Sequence, residues 1–143
     1  AWKRANAKSL AAPLQVKEAD VLTEGGKAPA NGSKPVYKIS YYALTSPREA
    51  FQGWVDGYLT KYLDAQVQHH ILTRYGMYLE HGKDGRALLV LEYADAKTEQ
   101  EAEPIKAKLS DDIARVDKEY ARQSDLKESL RTTQSWTLAV PAN

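Results

Sequence analysis

The chain has 143 residues, 43% hydrophobic and 27% charged, with 20 basic and 19 acidic side chains and a net charge of +1. That length suits one domain with a sizeable core, and the near-neutral balance excludes a global attraction to nucleic acid or to an anionic membrane. Without cysteine there are no disulfides, thiol nucleophiles or thiolate metal sites, and no apolar run reaches the roughly 18 residues a membrane span needs.

Residues 1–13 are alanine-rich with Trp2, Lys3 and Arg4, and read as a short helix or a loose arm. A Trp-Lys-Arg start could also lie on a membrane surface, but the segment is too short and alanine-rich to bind well alone. Leu14–Leu22 reads as a strand of poor alternation. "TEGGKAPANGSKP" (Thr23–Pro35) is a loop, with three glycines and two prolines. Residues 1–35 are therefore expected as an N-terminal arm and flexible loop, and residues 36–143 as a single α+β domain. Because the chain starts at Ala1 rather than Met, it reads as a processed or trimmed form, which points to a bacterial periplasm or envelope.

"VYKISYYAL" (Val36–Leu44) is β-branched and aromatic, a strand composition. "SPRE" (Ser46–Glu49) predicts a helix start, with Ser46 as N-cap, Pro47 at the first helical position and Glu49 closing a capping box. Phe51, Trp54, Val55, Tyr58, Leu59, Tyr62 and Leu63 then give one apolar stripe at helical spacing. The aromatic members of that stripe are expected to fill the core. Gly53 and Gly57 each weaken such a helix by about 1 kcal/mol, so close packing against them is expected.

From Val67 the pattern turns to alternation, and "GKDG" (Gly82–Gly85) separates it from "RALLVLEYA" (Arg86–Ala94). This predicts a β-hairpin, with a helix continuing to about Arg74 as the alternative. "TEQE" (Thr98–Glu101) is a second capping box, but Pro104 would clash inside a helix, so the next helix is expected to start near Glu103 or to kink there. Its stripe is Ile105, Leu109, Ile113, Val116 and Tyr120, and a break is expected at "SDLKE" (Ser124–Glu128). "SWTLAV" (Ser135–Val140) closes as a strand. The resulting order, βαββαβ, is that of a ferredoxin-like antiparallel sheet with helices on one face, the second helix broken, plus an N-terminal extension.

Pairing His81 with Arg86 across the turn places Tyr78 opposite Leu89 and Tyr75 opposite Glu92. One face then carries Ile71, Tyr75, Met77, Leu79, Leu88 and Val90, and the other Leu72, Tyr78, Leu89, Leu91 and Tyr93. Both are apolar, and helices cover only one. The uncovered face, Leu72, Tyr78, Leu89, Leu91 and Tyr93, is the expected interface, since a bare apolar sheet is unusual on a monomer. Its cover is a second protomer, the chain's own N-terminal segment, or a ligand.

Little catalytic chemistry is legible. His69 and His70 are adjacent and point to opposite faces of a strand, and His81 is about 40 Å from His69 along an extended chain, so no metal site forms locally. Nucleotide-binding and serine-hydrolase motifs are absent from the sequence, and no cofactor is expected. Glu92, opposite Tyr75 among apolar neighbours, is the carboxylate expected to have a raised pKa. "RALLVLEY" (Arg86–Tyr93) resembles the third strand of the RNA-recognition motif at Arg86 and Tyr93. Where that motif stacks bases on aromatics, however, this chain has Leu88 and Val90, with Ala87 at the glycine position, so nucleic acid is not an expected partner. The function expected is a non-catalytic protein–protein interaction or assembly module, self-associating or binding a protein partner through the open sheet face. The alternative is a small-ligand-binding protein or enzyme of the dimeric α+β-barrel type, its sheet-face pocket lined by Tyr75 and Glu92.

Overall fold

The computed structural model describes residues 18–82 and 84–140. The arm expected over residues 1–13 and the start of the strand expected from Leu14 lie outside these residues. The fold is α+β. Five strands, Ala19–Gly26 (β1), Val36–Leu44 (β2), Leu72–Glu80 (β3), Ala87–Tyr93 (β4) and Arg131–Ala139 (β5), form one antiparallel sheet in the order β1-β3-β4-β2-β5. The strand added to the expected four is β1. It runs along β3 from Ala19 opposite Glu80 to Gly26 opposite Arg74, with a bulge between Val21 and Thr23. A bulge resets the two-residue period in mid-strand, which is why this segment alternates poorly in sequence.

Between β2 and β3 the chain forms one helical run, α1, made of Arg48–Trp54, a π-helical turn Val55–Leu59, and Thr60–Gln68. The expected capping box does not form. Pro47 occupies the cap with no side-chain hydrogen bond, and the Ser46 hydroxyl instead donates to the Leu130 carbonyl at 3.2 Å. Thr45 Oγ1 likewise donates to the Ser129 carbonyl at 2.9 Å. Both hydroxyls thus donate to distant carbonyls, and the Leu130 carbonyl also accepts the Thr45 amide at 3.0 Å. Helix α1 ends at Gln68, and His70, at φ 58°, turns the chain into β3. Val67 is thus still helical, and the alternation expected from that residue begins at Leu72.

Three further helices precede β5: α2 (Ala96–Val116), α3 (Lys118–Ser124) and α4 (Lys127–Leu130). Helix α2 starts at Ala96, well ahead of Pro104, because the Asp95 carboxylate accepts the Thr98 amide at 2.7 Å and supplies a cap. Its buried side is Ala102, Lys106 and Leu109, whereas Ile105 and Val116 of the expected stripe are exposed. Asp117 breaks the run. It caps α3 through the Tyr120 amide at 2.9 Å and holds Lys61 of α1 at 2.7 Å.

The main core lies between the sheet and the helices. Phe51, Trp54, Tyr58 and Leu63 of α1 meet Tyr42, Met77, Leu89 and Leu91 of the strands and Leu109 and Tyr120 of α2 and α3. Rings of Trp54 and Tyr58 stack at 5.5 Å, and Tyr120 lies 4.7 Å from Tyr58. Gly57 does have the close neighbour its position calls for: a Cβ there would stand 3.1 Å from Gln123 Cγ of α3. A second, smaller cluster of strand residues, Ala19, Tyr78, Leu88 and Val90, occupies the opposite face.

The hairpin register differs by one residue from that expected. Tyr78 faces Leu88, Met77 faces Leu89, and Tyr75 faces Leu91. A shift of one residue exchanges faces along the whole strand it affects. Leu89, Leu91 and Tyr93 of β4 therefore face the helices, and Leu88 and Val90 face away. An irregularity between Leu72 and Arg74 in β3 then brings Leu72 to the helical side with Tyr75 and Met77.

Candidate functional site

Of the five side chains expected to form an open interface, Leu72, Leu89, Leu91 and Tyr93 are buried in the helical core of this single chain. Tyr78 alone belongs to the second face, and it too is fully buried, beside Leu88 and Val90. Its ring folds over Gly76, leaving no room there for a Cβ, and its hydroxyl donates to Glu24 of β1 at 2.7 Å. The centre of the second face is therefore closed, with Tyr37, Ile39 and Tyr41 of β2 half-buried around it.

Tyr75 and Glu92 do not share a pocket. Tyr75 lies on the helical side, packed across Gly25 of β1, with its hydroxyl donating to Asp64 of α1 at 2.6 Å. Burial, reinforced by the bond to Asp64, pushes its phenol well above the ordinary range. Glu92 faces Arg74 rather than Tyr75. Its carboxylate, fully buried, accepts from Thr73 Oγ1 at 2.6 Å and from Arg74 Nε and Nη2 at 3.0 and 3.2 Å. The nearby Tyr37 phenol is pushed up by burial and then by its hydrogen bond to Glu92. Such a closed network of partners is the arrangement that lets a carboxylate survive burial.

The histidines stand apart. His69 caps the end of α1 through the Ala65 carbonyl, His70 forms the turn, and His81 contacts Asp20 of β1 at 2.9 Å. Among the described residues no group of three or more histidine or carboxylate side chains is placed to hold a metal ion. No described helix is long and apolar enough to cross a membrane.

Two features the sequence reading missed stand out. The first is the outer edge of β5. Trp136, Leu138 and Val140 alternate on one side of this segment and are 62%, 46% and 71% exposed, and among the described residues only β2 pairs with the strand. From Thr132 to Asn143 the sequence contains no charged residue. A charge-free edge strand was legible as a composition, but its edge position was not. The second is a cavity of about 250 Å³ between α1, α2 and the sheet. Trp54, Tyr58, Tyr62 and Gln66 of α1, Tyr42 of β2 and Arg131 of β5 contribute to its wall. No family model, no curated protein and no solved structure matches this chain.

Proposed function

We propose that this chain is a non-catalytic assembly module that associates with a second copy of itself through the outer edge of β5. The observation that carries this reading is the contrast between the two edges of the sheet. An open edge offers unpaired backbone donors and acceptors, and proteins guard such edges with charges, bulges or short length. Edge β1 has all the marks of a guarded strand: Asp20, Glu24, a bulge after Val21, and Gly25–Gly26 at its end. Edge β5 is nine residues long, lacks a charge after Arg131 and exposes Trp136 and Leu138. A twofold antiparallel pair brings each strand against its own copy, so an uncharged strand is self-complementary where a charged one would repel itself.

In this reading β2 to β5 with α1 and α2 form a ferredoxin-like βαββαβ unit, and β1 is an addition on the edge away from β5. What supports it is that these four strands stand in the order β3-β4-β2-β5 with helices between β2 and β3 and between β4 and β5. An envelope location belongs to the same reading, since a cysteine-free chain is indifferent to an oxidising compartment. The cavity beneath α1 favours a second role, binding of a small ligand. A dimeric-barrel pocket lined by Tyr75 and Glu92 has no such support, because both side chains are engaged elsewhere.

Analytical ultracentrifugation tests the dimer directly. The wild-type chain is expected to sediment as a concentration-dependent dimer, and a W136K/L138K variant to dissociate at least about tenfold more readily, since like charges would then meet across the pair. A wild-type chain that stays strictly monomeric at high concentration would sink the self-association reading.

A further inference from the structure

The outer face of the sheet, turned away from the helices, is buried more completely than any described element explains. Ala19 is 1% exposed there, and Tyr78, Leu88 and Val90 are 0% exposed. All four helices send side chains to the other cluster, among them Leu63, Leu109, Tyr120 and Leu130, and none of their residues belongs to this one. Tyr78 is the telling case. Its ring lies over Gly76, so the sheet shields it from below. A fully buried side chain is touched on every side, typically by about 6–12 residues. A ring with water above it would keep much of its surface, and Tyr78 keeps none.

The cover belongs to this same chain, because the burial is complete in a single copy. Beyond the described residues the chain has only 1–17, Lys83 and 141–143. Lys83 is one residue in the hairpin turn. Residues 141–143 span at most about 10 Å from the end of β5, and β3 lies three strands away, roughly 14 Å. Residues 1–17 start from the right place. They join the sheet at Glu18, whose carbonyl accepts the His81 amide at 2.9 Å, and the next residue, Ala19, is part of the outer cluster. Crossing from β1 over β3 and β4 to β2 also takes roughly 14 Å. A segment of that length spans about 25 Å even at helical rise. It brings Trp2, Leu10, Leu14 and Val16 as apolar side chains.

We propose that the outer face is a docking surface for the chain's own residues 1–17, which lie across Tyr78, Leu88 and Val90 and seal it. Charge agrees with this placement. The segment carries Lys3, Arg4, Lys8 and Lys17 and no acid. The face holds the pairs Arg74–Glu92 and Arg86–Glu80, and beyond them the Glu24 carboxylate beside Tyr78, so opposite signs meet. Tyr37, Ile39 and Tyr41, half-buried at the margin, extend the apolar floor towards β2. A protein partner reaches this face only by displacing the segment. The proposal concerns the outer face alone and stands whether or not β5 pairs with a second copy.

The test uses the full chain, in which the absence of cysteine lets A7C carry a single nitroxide label. Methyl NMR then reads which face the label approaches. The Leu88 and Val90 methyl signals are expected to be lost, while those of Leu63 and Leu109 under the helices persist. In a mixture of spin-labelled chains with isotope-labelled, nitroxide-free chains, the Leu88 and Val90 signals are expected to survive. Two results would overturn the proposal. One is that Leu88 and Val90 keep their signals in the labelled chain. The other is that they lose them in the mixture, which would make a second copy the cover. Deleting residues 1–17 gives an independent reading: the melting temperature should fall and binding of a hydrophobic dye should rise, and a shortened chain unchanged in both would also refute the assignment. Should the shortened chain fail to fold, the nitroxide experiment on the full chain still decides.

Discussion

Two polar contacts on the edge of the sheet have consequences that can be measured one residue at a time. His81 is raised above its ordinary pKa of 6.5, first by its hydrogen bond to Asp20, and Asp20 is held below its ordinary 3.8 by His81 and then Arg48. A group raised by folding stabilises the fold fully below its unfolded pKa and loses that contribution as pH rises through the folded value. A group lowered by folding contributes above its unfolded pKa and loses it as pH falls through the folded value. The clasp between β1 and the hairpin is thus tightest between pH 3.8 and 6.5. In D20N the His81 titration followed by NMR should fall back towards 6.5. The Arg74–Glu92 pair is a different case, because Glu92 is wholly buried. R74M strands that carboxylate, and urea denaturation should show a loss of about 3–5 kcal/mol. Should R74M match wild type, Glu92 would need another counter-charge. Gly76 is held by the Tyr78 ring over its Cα. G76A should cost about 1–3 kcal/mol by the same measurement, as overpacking does.

At the level of elements, helix α2 carries a proline that its cap overrides. Asp95 nucleates the helix at Ala96, and Pro104 sits within it. An internal proline removes one backbone hydrogen bond and clashes with the preceding turn, at about 3 kcal/mol relative to alanine. P104A should therefore raise the melting temperature, and an unchanged or lower value would mean that the proline shapes a packing contact. The residue pattern around that proline misleads for a physical reason: "TEQE" offers a plausible cap, but Asp95 offers a better-placed one. At the other helix start, the Ser46 hydroxyl donates to the Leu130 carbonyl, a partner 84 positions away that no local pattern reveals. Strand and helix identities were legible from Val36, Arg48, Arg86 and Ser135 onward, because their periods are local. The hairpin register was not, because the turn Gly82–Gly85 admits pairings one residue apart and only the packing of Met77, Leu89 and Leu91 under the helices selects between them.

For the whole molecule, the apolar character of both sheet faces was legible, and its meaning was not. The expected open face is closed at its centre, with Tyr78, Leu88 and Val90 buried in one chain. Exposed apolar side chains run instead along β5 and just past its end, at Trp136, Leu138 and Val140, with Ile105 and Val116 exposed separately on α2. That redirects the assembly reading from a face to an edge, with the sedimentation of W136K/L138K as its measure. Of the candidate pocket residues, Tyr75 bonds Asp64 on the helical side, and Glu92 bonds Thr73 and Arg74. Those that surround a cavity, Trp54, Gln66 and Arg131, come from α1 and β5 and are more than 60 positions apart at the extremes, so no local pattern could have joined them.

By itself, then, the sequence determined the identity of the elements, from β2 through α1 to β5, since apolar period and composition act over a few residues. It also excluded disulfide and thiol chemistry, since it contains no cysteine. Tertiary structure alone decided the register of the hairpin, the place of β1 beside β3, the exposure of β5 and the convergence of Gln66, Trp54 and Arg131. Each of these depends on contacts between segments distant in the chain, and burial is a property of the packed whole.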